Sequence, residues 1–154
     1  MKISKANKED LPKILEIQRA AFNQEALLYG SRELPPLMES VEDLERDLHT
    51  NEFLKAEFEG NIVGSIRAYM DGVSCMIWRL SVSPEHQGKG IGRALISEAE
   101  KCFPEAEYYD LFTGAKSESS LHLYKKLGYD LTGVEEQHGP IKFVFMRKVN
   151  RPCA

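Results

Sequence analysis

Val82-Ser83-Pro84-Glu85-His86-Gln87-Gly88-Lys89-Gly90-Ile91-Gly92-Arg93-Ala94-Leu95 carries a strand through glycines into a helix. Val82 closes an apolar run that begins at Cys75, and Pro84 stops it. Ile91, Ala94, Leu95, Ala99 and Cys102 then recur at helical intervals until Pro104. The first N–H groups of such a helix have no intrahelical partner, and the helix dipole adds positive potential there. Glycines let a ligand come close to the backbone, so the junction reads as an anion site suited to a diphosphate.

Spacing excludes two other phosphate loops. A Walker A loop needs G-x-x-x-x-G-K-[ST], but Ser83 stands at its first glycine and Gly90 follows Lys89 where Ser or Thr is required. The dinucleotide fingerprint G-x-G-x-x-G would begin at Gly88 and Gly90, yet its last glycine is replaced by Arg93.

On the N-terminal side, Lys2 to Lys5 predicts a short strand, and Leu11, Ile14, Leu15, Ala21 and Phe22 predict a helix capped by Asn7 or Asp10. The segment from Asn23 to Glu39 loses that pattern and reads as a structured loop, because Pro35-Pro36 forbids a continuous helix. Ser40-Val41-Glu42-Asp43 resembles a capping box and opens a second helix bearing Val41, Leu44 and Leu48. Phe53 to Phe58 and Ile62 to Met70 predict a hairpin in which Gly60-Asn61 supplies the positive φ, and Asp71-Gly72 turns the chain into the Cys75 strand. On the C-terminal side follow a strand at Tyr108 to Thr113, a helix from Ser117 to Leu127 ended by Gly128, and strands at Tyr129 to Val134 and Ile141 to Lys148.

The chain of 154 residues suits one domain, 1–154, with a mixed α/β core. With 42% hydrophobic and 29% charged residues it has an ordinary globular composition, and no apolar run approaches the roughly 18 residues of a membrane span. A net charge of −4 argues against a nucleic-acid surface. Cys75, Cys102 and Cys153 have no C-x-x-C spacing, and His49, His86, His122 and His138 have no ligand spacing, so neither a disulfide framework nor a metal site is expected. The N-terminus lacks the apolar region of a secretory signal, and a cytoplasmic location is the default expectation.

Gln87, Gly90 and Gly92 match Q/R-x-x-G-x-G/A directly after the apolar strand, and in this the sequence resembles the GNAT acetyltransferases. Ser117-Glu118-Ser119-Ser120-Leu121-His122-Leu123-Tyr124-Lys125-Lys126-Leu127-Gly128-Tyr129 looks like the second signature of that family, N-x-x-A-x-x-L-Y-x-x-x-G-F/Y. The resemblance implies the acyl-CoA N-acyltransferase fold, in the order β-α-α-β-β-β-α-β-α-β-β with two splayed central strands. It implies acetyl-CoA as co-substrate, an amine as acceptor and direct attack in a ternary complex. Many relatives pair through edge strands, which leaves a homodimer open.

The same resemblance implies roles for particular residues. Leu80, Ser81 and Val82 would meet the pantetheine arm through their backbone, with the Val82 N–H donating to the thioester oxygen. Gln87, Gly88, Lys89, Gly90, Ile91, Gly92 and Arg93 would hold the pyrophosphate, and Ser117, Ser120 and Tyr124 would line the cofactor on the second helix. Tyr124 is the implied general acid. Two residues depart from the family: Ser117 stands where many members have Asn, and Met76 where some histone-type members have a catalytic Glu. The general base therefore stays open among His86, Glu85, Asp71, Glu33 and His138. The loop Tyr29 to Met38 and the hairpin Glu135 to Pro140 are expected to frame the acceptor, with Glu25, Glu33, Glu39, Glu135 and Glu136 making that region acidic. A non-catalytic acyl-CoA-binding module of the same fold, or a domain using another acyl group, fits the same residues.

Overall fold

In a computed structural model, residues 1–151 are described; Cys153, read as outside any disulfide framework, lies beyond them. The strands are β1 (Lys2–Lys5), β2 (Glu52–Phe58), β3 (Asn61–Asp71), β4 (Ser74–Val82), β5 (Tyr108–Gly114), β6 (Asp130–His138) and β7 (Ile141–Val149). They form one sheet in the order β1-β2-β3-β4-β5-β7-β6. Only β4 and β5 run parallel; every other neighbouring pair is antiparallel.

Among the described residues the α-helices are α1 (Leu11–Tyr29), α2 (Pro35–Met38), α3 (Val41–Thr50), α4 (Ile91–Lys101) and α5 (Glu118–Lys126). α4 and α5 cover one face, where Leu95, Ile96, Ala99 and Tyr124 pack with Ile66, Ala68, Ile77 and Leu111. α1 and α3 cover the other, where Leu11, Ile14 and Leu15 meet Leu44 and Phe53. At Gly64 the backbone must come close, since a Cβ there would sit 2.9 Å from the Ser81 carbonyl and 3.1 Å from Leu95.

Three local expectations change. The segment expected as a loop from Asn23 to Glu39 is helical through Tyr29 and again at Pro35–Met38. Ala26 and Tyr29 continue the buried stripe of α1, and Gly30 ends the helix in the left-handed region at φ 63° with its N–H bonded to Ala26 O. The proline pair opens α2, where the missing N–H groups would have no partner. In the β2–β3 turn the positive φ falls on Glu59 (52°) and Gly60 (82°), and Asn61 begins β3. Glu135 to His138 belong to β6, so only Gly139 and Pro140 turn the chain into β7. The capping box is as read: Ser40 N donates to Asp43 Oδ2 at 2.8 Å and Asp43 N to Ser40 Oγ at 3.3 Å.

A buried charge sets the position of α1 and α3. Arg67 on β3 is fully buried and lies 4.7 Å from the Phe53 ring centre. Its guanidinium donates to Gln18 Oε1 on α1 at 2.6 Å, Asp47 Oδ2 on α3 at 2.9 Å and Glu39 Oε1 at 3.3 Å. Gln18 in turn donates to Glu39 and to the Pro36 carbonyl, each at 2.8 Å, and Arg79 Nε reaches Glu39 at 3.0 Å. Arg67→Met would leave carboxylates in this site without their main cation, and we expect a loss of about 3–5 kcal/mol in urea unfolding. Combining it with Glu39→Gln and Asp47→Asn is expected to recover much of that loss.

Candidate active site

The sheet opens at its centre. β4 and β5 pair only through Ser74–Tyr108, Cys75–Tyr109 and Met76–Asp110, so neither strand meets the other beyond those residues. The cause is visible in the β3–β4 register, where Ser65 faces Ser81 but Arg67 faces Trp78, leaving an extra residue in β4 at Arg79–Leu80. Arg79 takes φ 51°, and the bulge bends the end of β4 away from β5.

Past the bulge, Ser83 N donates to Val63 O at 2.8 Å, which makes the facing Gly64–Val82 pair a non-hydrogen-bonded one. The Val82 N–H and C=O therefore point away from β3, into the gap. Gln87 Nε2 donates to that carbonyl at 3.1 Å, while the N–H is left for another acceptor. By the same alternation the Ser81 backbone turns to Ser65; its hydroxyl is buried and meets no partner among the described residues. Leu80 and Val82 pack beside Gly92 in the first turn of α4, at 3.6 and 3.8 Å from a Cβ placed there.

The glycine-rich turn follows directly. Gly88 (φ 78°) and Gly90 (φ 82°) adopt the left-handed region, and a Cβ on either would meet open space. Gly90 is the N-cap of α4, with no side chain capping the helix, so the N–H groups of Ile91, Gly92 and Arg93 remain available. Gly88, Lys89 and Arg93 are exposed, and the Lys89 ammonium lies 5.6 Å from the Phe58 ring centre. This is an uncapped helix start beside an opened strand, the arrangement that holds a phosphate-bearing chain.

α5 approaches the gap from the same face as α4, and Leu123 lies 3.5 Å from a Cβ placed on Gly92. Tyr124 is buried, its ring centre 6.3 Å from that of Tyr129, and none of the hydrogen bonds among the described residues uses its hydroxyl. Burial, with the Glu25 carboxylate adding to it, pushes the phenol well above its ordinary value. Ser120 is half-buried. Ser117, just before α5, is buried and its hydroxyl donates to Glu25 Oε2 on α1, so that donor is committed to the protein itself. Sequence reading placed Glu25 only in a diffuse acidic region; the signal that could have found it is its spacing, seven residues after Gln18 and four before Tyr29 on the buried stripe.

Of the candidate bases, Asp71 lies far from the gap. His86 stacks edge-on against Phe58 of β2 at 5.8 Å, and its Nδ1 is buried with no partner among the described residues. Glu85 is exposed in the same turn, and Asp71 is at the opposite end of β4, about 26 Å from Val82 by strand rise. Glu33 is exposed, and His138 pairs with Glu136 at 3.1 Å beside Phe143. The segment Tyr29 to Met38 packs through Tyr29, Leu34 and Leu37 against Ile141 and Phe143 of β7, just after the hairpin Glu135 to Pro140. Lys116 N donates to the Tyr29 hydroxyl at 2.9 Å, closing that wall at Gly114, where a Cβ would fall 2.0 Å from the same oxygen. Among the described residues no group of three or more His, Cys, Asp or Glu is placed to hold a metal ion.

Comparison with known proteins adds three findings. Residues 11–129 match the family described as Acetyltransferase (GNAT) family. An acetyltransferase of Yersinia pestis is 32% identical over 118 residues, covering 73% of this chain and 84% of that protein, and one of Sodalis glossinidius is 33% identical over 102 residues, covering 64% and 72%. Among solved structures, the PaiA N-acetyltransferase of Thermoplasma acidophilum in complex with coenzyme A superposes with a TM-score of 0.78 at 23% identity, over 96% of this chain and 98% of that one. A phosphinothricin acetyltransferase of Sinorhizobium meliloti in complex with acetyl-CoA gives 0.78 at 24% identity, over 97% and 88%.

Cys75, on β4 at the closed end of the strand pair, is fully buried, and burial pushes its thiol up to about 12. At pH 8 such a thiol is thiolate in only about one molecule in ten thousand, too little for a nucleophile. Peptide mapping after iodoacetamide treatment at pH 8 is expected to find Cys75 unmodified in the folded protein and fully alkylated in urea.

Proposed function

The chain belongs to the acetyltransferase (GNAT) family and carries out acetyl-CoA-dependent acetyl transfer; from this premise we propose that its acceptor is an amine and that transfer takes place in the gap between β4 and β5. The observation that carries the reading is the parted end of β4, where the Val82 N–H faces an opening lined on one side by the uncapped start of α4. These residues fit the co-substrate. Bound acetyl-CoA supplies a thioester carbonyl for attack and a thiolate that must be protonated as it leaves.

The roles follow from position. The N–H groups from Gly88 to Arg93, with the Lys89 and Arg93 side chains at the rim, hold the diphosphate. Leu80 and Val82 present the opened strand to the pantetheine arm, and Gln87 holds the Val82 carbonyl in place. The Val82 N–H donates to the carbonyl oxygen as negative charge gathers there. The neutral amine nitrogen bonds to the carbonyl carbon and the carbon–sulfur bond breaks. Tyr124 gives its proton to the departing sulfur and recovers one, through water, from the nitrogen of the new amide. Residues 1–154 act as one domain in this reading. The free thiols Cys75 and Cys102 support a reducing, cytoplasmic setting. β6 is exposed along its whole length and is the edge through which a second copy would pair.

Incubation with acetyl-CoA and a panel of amines, followed by free thiol, tests the reading. Tyr124→Phe is expected to lower kcat about a hundredfold with little change in CoA affinity. CoA binding without thiol release from any amine would instead identify a non-catalytic acyl-CoA-binding module.

The position of Met76 on β4 leaves no carboxylate on that strand to take a proton from the amine. Deprotonating an alkyl ammonium of pKa about 10.4 at pH 7 costs about 4.6 kcal/mol, against about 1 kcal/mol for an α-amino group near 7.7. Peptide N-termini are therefore expected to be acetylated faster than free lysine side chains at equal concentration. Faster reaction of the lysine side chain would reverse the assignment of acceptor type.

A further inference from the structure

α1 crosses the opened end of the sheet. Gln18 is fixed over β3 by Arg67, and Tyr29 is fixed beyond the end of β5 by Gly114 and Lys116, so the turns between them pass over β4 and the gap. Glu25 lies in that stretch. It is half-buried, it sits on the stripe that elsewhere carries Leu11, Ile14, Gln18 and Tyr29, and its Oε2 accepts from the buried Ser117 hydroxyl.

Its charge is not compensated. Asp10, Glu39, Asp47, Glu100 and Asp110 are likewise partly buried, and each meets a lysine or arginine within 4.0 Å. Glu25 meets none among the described residues, and the Ser117 hydroxyl is its single donor there. Lys116, next to Ser117 in sequence, is exposed with its ammonium 5.7 Å from the Tyr29 ring centre. A half-buried carboxylate with one hydroxyl partner and one free oxygen has room for a cation as its second partner. Its field is felt at Tyr124, on the opposite face of the same opening.

We propose that Glu25 captures the ammonium group of the acceptor, with Ser117 fixing one carboxylate oxygen so that the other is left for the incoming cation, which gives up one proton to water before its nitrogen attacks. The inference rests on the amine-acetyltransferase reading of the gap and narrows it. The acceptor arrives from the α1 side as a cation, opposite the α5 side that carries Tyr124. Uncharged alcohols and anilines leave Glu25 uncompensated and are excluded. Ser117, which replaces the Asn of many relatives, is then an acceptor-positioning residue.

The test uses the full chain loaded with CoA and follows backbone amide NMR shifts during titration with n-butylammonium, alanyl-alanine amide and spermidine. At least one amine is expected to perturb residues around Ser117. Glu25→Gln should weaken its binding at least tenfold, Glu25→Asp should restore part of it, and CoA affinity should stay within twofold in both. Equal amine affinity in wild type and Glu25→Gln, or no binding of any of the three by the wild type, overturns the proposal. Thiol release from acetyl-CoA is measured in parallel. Release with an unchanged KM for the amine in Glu25→Gln overturns the anchor and leaves the transferase reading standing; Glu25-dependent amine binding without release supports the anchor and overturns amine transfer.

Discussion

Everything at the centre of this protein follows from β4 leaving β5 after Met76. A parallel pair inside a sheet would normally satisfy its backbone groups along its whole length, and stopping it exposes donors and acceptors in the middle of the molecule. The bulge at Arg79–Leu80 does this on one strand only, so the β3–β4 ladder resumes at Ser65–Ser81 while the other side of β4 stays open. Placing a non-glycine residue at φ 51° costs on the order of 1 kcal/mol. That strain is held by Arg79 itself, whose guanidinium bonds Glu39 and lies over the Trp78 ring at 5.0 Å.

The charge network around Arg67 is coupled to that opening. A buried guanidinium cannot be deprotonated, so it dictates where carboxylates and amides must sit. Gln18, Glu39 and Asp47 answer from α1, the segment before α3, and α3 itself, which fixes α1 obliquely across the sheet. Glu39 bonds both Arg67 and Arg79, so one carboxylate joins the anchor of the helices to the bulge. The angle at which α1 crosses, and thereby the place of Glu25 over the gap, is set by residues that take no part in chemistry.

What was legible in the sequence was what local rules encode. Glycines before Ile91, the Ser40 capping box and the apolar alternation of the strands each act within a few residues, and the order of strands and main helices came out as read. The end of α1 was missed because Asn23, Gln24 and Glu25 are polar; the buried stripe continues past them at Ala26 and Tyr29, packed by Leu34 and Ile141. Polar residues at apolar positions are silent without their partners. Arg67 finds Gln18 at a separation of 49 residues and Ser117 finds Glu25 at 92, distances over which no periodicity connects them. The same limit hid the base candidates: His86 lies next to the glycine turn in sequence, yet it packs against β2.

The environment of Tyr124 fits a proton donor better than its raised pKa first suggests. A phenol pushed upward by burial is a weaker acid, and against a thiolate at the ordinary value of about 8.5 the transfer would be uphill. The sulfur leaves into the same desolvated surroundings, however, and burial raises the pKa of any thiol, as it does for Cys75. Both acids are shifted in one direction, so the difference between them grows less than either shift alone. The phenol also stays protonated throughout the physiological range, and the half-buried negative charge of Glu25 opposes any anion that lingers in the gap.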